Sequence, residues 1–329
     1  MTEQSRQNTE ARSGVRYDEV TADSAGQRID NYLVRILKTV PRSRIYRLLR
    51  RGEVRVGGHR ARPEYRLKEG DRIRIPPLRL DTTTRPAAPS RSLRERLKQA
   101  ILFEDRNLIA LDKPAGIAVH GGSGLSLGVI EALRADRPRE TLELVHRLDR
   151  DTSGCLLIAR NRKTLRDLHA LMREGLVEKK YLALVRGHWQ LGEKRIDVPL
   201  ATHRRQGGER HVRAEAHGKQ SVSVFKPAQF FGARATLMEV DIHTGRTHQI
   251  RVHAAHAGHP VAGDEKYGDT AFDVEMRRFG LERLFLHAHS IAFEWPGSGA
   301  PAHFSAPLPA ELTAVIDQLQ AARGGRGPK

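Results

Sequence analysis

The sequence is poor in the residues that announce redox or metal chemistry. It holds one cysteine, Cys155, in 329 residues, so no intramolecular disulfide can form and no cysteine pair can bind a metal. That thiol sits in the apolar run Cys155 to Ala159 and reads as a core residue rather than a nucleophile. Long apolar runs are missing as well: none reaches the roughly 20 residues a membrane span needs. The polar start MTEQSRQNTEARSG lacks the apolar centre of a secretion signal. A cytoplasmic protein without membrane contact is the expectation. Acidic side chains are also scarce, 39 Asp and Glu against 57 Lys and Arg, which leaves a net charge of +18. Such an imbalance attracts polyanions through long-range field and counterion release, so nucleic acid is the leading partner class.

What is present suffices for a substantial core, since 39% of the residues are hydrophobic and the length allows one large domain and a small one. Residues 1–16 are polar and without periodicity, which predicts a disordered tail. In QRIDNYLVRILKTV, Ile29, Leu33, Ile36, Leu37 and Val40 recur at helical spacing. A second helix follows, with Pro41 at its start, Ile45, Leu48 and Leu49 on one face, and Gly52 as its stop. Arg42, Arg44, Arg47, Arg50 and Arg51 are left for its outer side and end. EVRVGG and DRIRIPP alternate as short strands do, and the unit closes near Pro77. Between Arg28 and Arg79 stand 16 basic and 5 acidic side chains, a net +11 in under a sixth of the chain. Residues 78–98, rich in Thr, Pro and Ser, read as a linker. Beyond it, residues 99–325 intersperse strands and helices, which predicts an α+β fold with a mixed, mostly antiparallel sheet. The polar stretch Ala201 to Gln220, basic and rich in Gly and His, reads as a surface loop suited to gripping a phosphate backbone or as an uninvolved insertion.

Most catalytic motifs fail on inspection. HTGRTHQIRVHAAHAGH (residues 243–259) offers His243, His248, His253, His256 and His259 but no carboxylate, and regular geometry scatters those rings over several faces. The Gly-rich stretch at residues 120–133 lacks the Gly-Lys-Ser/Thr ending of a phosphate loop and the spacing of a dinucleotide fingerprint. DTSG (residues 151–154) is no hydrolase elbow. What remains is Asp149 in HRLDRDTSG, flanked by Arg147 and Arg150. Neighbouring positive charge favours its ionised form, which suits a nucleophile more than a general acid. On local physics alone, an Arg/Asp pair of this kind is more often structural than catalytic.

A wider pattern weighs against the structural reading. HRLDRDTSG (146–154), EKKYLALVRG (178–187), TGRTHQIRVH (244–253) and RLFLHAHSIAF (283–293), with LDKPAGIAVHGG upstream, resemble the RluA-type family of pseudouridine synthases in order and separation. The helix pair and the strands after it resemble the S4 RNA-binding domain, over residues 17–77. The resemblance implies an enzyme that isomerises uridines of 23S ribosomal RNA to pseudouridine without cofactor or metal. It makes Asp149 the catalytic aspartate and Tyr181 the residue that stacks on the base and serves in proton transfer. Arg251 becomes the partner of the aspartate, Leu286 an apolar wall of the uracil pocket, and Arg147 an RNA contact near the extracted nucleotide. Arg42, Arg44, Arg47, Arg50 and Arg51 become phosphate contacts of the S4 domain. The expected partner is 23S ribosomal RNA or a large-subunit assembly intermediate, met by a monomer. Three other readings stay open: a different member of the same family with other 23S sites, a ribosome-assembly factor that binds RNA without catalysis, and a DNA-binding regulator built on the helix pair.

Overall fold

The computed structural model describes residues 14–37, 40, 42–78, 89–121, 127–204 and 210–324. Two compact units divide the chain at Pro86.

In the first unit, β1 (Arg16–Glu19), β2 (Arg55–Val56), β3 (His59–Arg60) and β4 (Arg72–Ile75) form a sheet in the order β1-β4-β2-β3. All its pairings are antiparallel. Against it lie α1 (Ile29–Ile36) and α2 (Arg42–Arg51), whose Ile29, Leu33, Ile45 and Leu49 meet Ile73 and Ile75 in one core. Buried Asp30 ties the helices together, accepting from Arg28 Nη2 at 2.7 Å and from the Tyr46 hydroxyl at 2.8 Å. Helix α1 ends four residues before Val40. The helical region is disfavoured for Val40, because it precedes Pro41, and the chain has already left helical dihedrals at Leu37. Helix α2 stops at Gly52, whose φ of +69° is the left-handed conformation that ends helices. Of the expected tail, residues 1–13 lie outside the described residues, and Arg16 already begins β1.

The second unit opens with α3 (Arg91–Gln99), where sequence composition suggests linker; of that stretch, residues 79–88 lie outside the described residues. The helix forms because the Ser90 hydroxyl caps the Leu93 N–H, and because Leu93 and Leu97, four apart, both reach the core. The elements that follow, in order, are β5 (Ile101–Glu104), β6 (Leu108–Lys113), α4 (Val129–Asp136), β7 (Glu143–Leu144), β8 (Ser153–Ala159), α5 (Arg162–Glu174) and β9 (Glu178–Arg186). Next are β10 (Lys194–Asp197), the hairpin β11 (Leu200–Arg204) and β12 (Arg210–Ala214), and the long pair β13 (Val222–Phe231) and β14 (Ala235–Ile242). The chain finishes with α6 (Gln249–His256), α7 (Thr270–Arg277), β15 (Leu286–Glu294), β16 (Pro301–Ser305) and α8 (Ala310–Gly324).

Ten of these strands make one sheet with the path β10-β13-β14-β9-β15-β8-β6-β5, β16 beside β15 and β7 beside β8. It is mixed, with β15 and β8 as its parallel pair. Apolar layers cover both faces, so the strands read as near-continuous hydrophobic runs that still sort with period two. Tyr181, Ala183 and Val185 face one layer with Leu156, Ile158 and Leu286. Leu184 turns to the opposite layer, with Phe285 and Leu312. Cys155 lies buried in the sheet beside Leu157, and that burial pushes its thiol up to about 12. The β11–β12 hairpin stands apart from the large sheet and packs Leu200 and Val212 on Val252 of α6. Residues 205–209, between its strands in sequence, lie outside the described residues.

Candidate active site

Asp149 sits on the turn that leads into β8, where the Thr152 N–H closes back on its carbonyl at 3.3 Å. That turn is clamped from beneath by Lys113, a fully buried lysine at the end of β6. Its ammonium donates to the carbonyls of Pro114 (2.8 Å), Ile117 (2.9 Å) and Arg150 (3.0 Å), which uses all three of its protons. Burial pulls the Lys113 pKa down to about 7, against the opposing pull of Asp151 and Asp149. Just beyond the turn, Gly154 has φ +108° and faces Ala288 across the parallel pair. A Cβ there would lie 2.7 Å from the Ala288 carbonyl carbon, so no larger residue fits between β8 and β15.

The cations beside Asp149 in sequence are not its close partners. Arg150 turns to Asp151 at 3.0 Å, and Arg147 is exposed at the mouth of the cleft. Instead, α6 brings Arg251 Nη1 to 3.7 Å from the Asp149 carboxylate. The pairing expected between these two is thus a looser contact than a hydrogen bond. The close bonds of Arg251 go to Asp264, from Nε at 2.7 Å and from Nη2 at 2.6 Å. Asp264 is buried and also accepts the Lys266 and Tyr267 N–H groups, so it is fully engaged. Burial is the largest single influence and acts against the charge of both members, but their mutual hydrogen bonds and opposite charges, with the backbone N–H groups on Asp264, together outweigh it, raising Arg251 and lowering Asp264. Asp149 keeps a quarter of its side chain exposed and faces the cleft.

The opposite wall is apolar. Tyr181 on β9 pairs with Ala288 of β15, and Leu286 pairs with Ala183 two residues along, so Tyr181 and Leu286 are diagonal neighbours on the same face of adjacent strands. Burial raises the Tyr181 pKa well above the usual phenol range, and the Asp149 charge adds to the effect. Its hydroxyl stays protonated near neutral pH.

The segment joining β14 to α6 closes the cleft, which has a volume of about 110 Å³. Gln249 holds that segment in place. Its carbonyl accepts from Thr244 Oγ1 (2.7 Å) and the Arg246 N–H (3.0 Å), and its amide donates to the Val222 carbonyl and Ser223 Oγ, both at 2.9 Å. The turn leaves His248 at φ +56°, the single non-glycine residue with positive φ among the described residues. Its Nε2 lies 3.9 Å from Asp149 and its Nδ1 2.8 Å from the Tyr267 hydroxyl.

Asp149, Tyr181, Arg251, Arg147 and Leu286, singled out from sequence, therefore all line one cleft. Asp264, Gln249 and Lys113 were not singled out, and His248 was weighed only as a metal ligand. The other histidines of residues 243–259 disperse: His253 is buried against Ser223 Oγ and the Val198 carbonyl, while His243 and His256 are exposed. In the other unit, Arg47, Arg50 and Arg51 are exposed on α2, Arg44 is half-buried, and the Arg42 side chain lies outside the described residues. A single carboxylate opposite an aromatic and aliphatic wall, with guanidinium groups at its rim, suits a flat neutral ring carried on a polyanion.

Comparison with known proteins points the same way. The family model for RNA pseudouridylate synthase matches residues 107–256, and that for the S4 domain matches residues 27–73. The chain is 52% identical over 303 residues to the ribosomal large subunit pseudouridine synthase C of Pasteurella multocida, covering 92% of this chain and 93% of that one. To the protein of the same name from Escherichia coli strain K12 it is 51% identical over 308 residues, 92% and 96% of the two chains. Among solved structures, human RNA pseudouridylate synthase domain containing 4 superposes with a TM-score of 0.58 at 26% identity, over 70% of this chain and 96% of that one.

Proposed function

The chain belongs to the RNA pseudouridylate synthase family, and on that premise we propose that it converts specific uridines of 23S ribosomal RNA to pseudouridine, with Asp149 as the reacting carboxylate. The partner is the RNA itself or a large-subunit assembly intermediate, met in the cytoplasm. Uridine and pseudouridine contain the same atoms. The N1–C1′ bond breaks, the base rotates, a C5–C1′ bond forms, and the proton leaving C5 is balanced by one gained at N1. The chain must therefore hold a detached ring in place and manage a proton.

One observation carries the reading: the exposed edge of Asp149 faces the Tyr181 and Leu286 wall while Arg251 is kept cationic beside it by a different carboxylate. Because Asp264 takes the close hydrogen bonds of Arg251, Asp149 keeps its oxygens available to a substrate. A uridine in folded RNA reaches the cleft by flipping out of its stack, at a cost of a few kcal/mol. Stacking on Tyr181 and phosphate contacts from Arg147 and from α2 offset that cost. The protonated Tyr181 phenol is placed to donate to, or relay a proton from, the ring that covers it.

The test uses unmodified 23S transcript, incubated with wild type or with Asp149→Asn and then mapped for pseudouridine. Conversion by wild type and none by the variant is the expected result. Equal maps would reject Asp149 as the reacting group, and binding without conversion by wild type would favour a non-catalytic assembly factor.

A further inference from the structure

We infer that His248 is a positioning residue for Asp149, fixed in one tautomer by a hydrogen-bonded chain that starts on the β11–β12 hairpin. The chain can be read group by group. The Val212 N–H of β12 donates to the Tyr267 oxygen at 2.9 Å, because a backbone N–H can only donate. Tyr267 thus accepts there, and its own proton is free to point to His248 Nδ1, 2.8 Å away. An imidazole that accepts at Nδ1 carries its proton at Nε2. That Nε2–H is the atom facing Asp149, at 3.9 Å from Oδ2.

Three features support this order of donors. Burial lowers the His248 pKa, with Arg251 and Lys266 acting in the same sense and the Asp149 and Asp264 charges opposing, so the ring is in the neutral form that has a tautomer to fix. Tyr267 is raised, by burial first, and stays a protonated donor. Its ring is held by the Arg251 guanidinium at 5.1 Å and by the His211 ring of the hairpin at 5.1 Å. The positive φ of His248 is the third feature: a β-carbon is strained there, and the strain is sustained where it aims a side chain at a site. At 3.9 Å the Nε2–H contact is charge to dipole, and contacts of this kind tighten when substrate fills a site. The hairpin, packed on α6 through Val212 and Val252, is thereby linked to the orientation of the carboxylate.

The kinetic half of the inference rests on the proposed function; the spectroscopic half does not. His248→Asn is the main variant, because asparagine tolerates a left-handed backbone. In ¹⁵N spectra of the histidine rings, the signal that disappears in His248→Asn identifies His248 in wild type. The expected result is a Nε2–H tautomer, converted to a mixture by Tyr267→Phe, with the Nε2 resonance moved by Asp149→Asn. A Nδ1–H tautomer, or a resonance indifferent to both substitutions, would overturn the inference whether or not the transcript is converted. In single turnover on 23S transcript, His248→Asn should lower the rate ~10- to 100-fold, the scale on which a misplaced reacting group acts, with RNA affinity unchanged. Tyr267→Phe should show most of that loss, and the double variant should be no slower than His248→Asn. Additive losses, or a His248→Asn rate within about threefold of wild type on a transcript that Asp149→Asn leaves unconverted, would also sink it.

Discussion

Asp149 and Asp264 share one arginine, and their different environments predict opposite phenotypes. Asp264 is buried, bonded twice to Arg251 and twice to backbone N–H groups. Asp264→Asn keeps the shape and an acceptor for the N–H groups but leaves the guanidinium without its close counter-charge. Breaking a buried ion pair from one side costs about 3–5 kcal/mol, which for a unit of this size lowers the melting temperature by roughly 6–20 °C. Asp149 contributes a contact at 3.7 Å from a side chain that is 25% exposed. Pairs of that kind stabilise by about 0–1 kcal/mol, so Asp149→Asn should melt within about 4 °C of wild type. Its single-turnover rate should nevertheless fall by about 10⁴-fold or more, the scale of losing a nucleophile. Urea unfolding followed by tryptophan fluorescence measures the stability term cleanly. Both tryptophans, Trp189 and Trp295, lie in the second unit, so the first contributes no signal. Asp264→Asn unfolding within about 1 kcal/mol of wild type, or Asp149→Asn as unstable as Asp264→Asn, would refute the division of labour. As an internal control, Arg251→Leu combined with Asp264→Asn, which keeps an acceptor for the Lys266 and Tyr267 N–H groups, should recover much of the stability but not the activity.

Other expectations follow from single interactions. Lys113 has a folded pKa of about 7, below the roughly 10.4 of an unfolded lysine. Between those values the unfolded chain binds a proton the folded chain lacks, so this group makes stability rise with pH across that window. Lys113→Met should remove that slope in urea melts taken from about pH 7 to 10, and an unchanged slope would show that the buried amine does not titrate there. Gly154→Ala forces a methyl onto the Ala288 backbone at a positive φ and should lower stability by roughly 2–4 kcal/mol; thermal melting checks it. Substituting Arg47, Arg50 and Arg51 of α2 by alanine should weaken RNA binding and flatten its dependence on log salt by roughly 0.7 for each phosphate that is no longer neutralised. A slope equal to that of wild type would remove α2 from the RNA interface.

The fold class was legible from the interspersed strand-like and helical segments of residues 99–325, whereas the sorting of Tyr181, Ala183 and Val185 to one layer and Leu184 to the other shows only in the folded sheet. Local composition misled at residues 91–98, where Thr, Pro and Ser upstream masked a capped helix. The site was legible only as a set of positions. Adjacency in sequence suggested Arg150 as a neighbour of Asp149, but the turn sends its guanidinium to Asp151. Asp264 carries no local signal, since its partner lies one helical segment earlier and the pairing exists only after α6 packs. His248 could have been suspected from TGRTHQ, a turn whose Gln249 is polar at the buried start of a helix. Its positive φ could not, because nothing about a histidine announces a left-handed backbone.

The position of β15 between β9 and β8 has a consequence for how the enzyme comes into being. Asp149 precedes β8, Tyr181 lies on β9, and the strand between β8 and β9 is the next to last strand among the described residues. A ribosome releases the polypeptide from its N-terminus, so the S4 unit is made first and Asp149 emerges long before the strand that completes its cleft. On the proposed function, the growing chain carries its S4 unit before it has a finished cleft, which is walled only once residues 286–294 have been added.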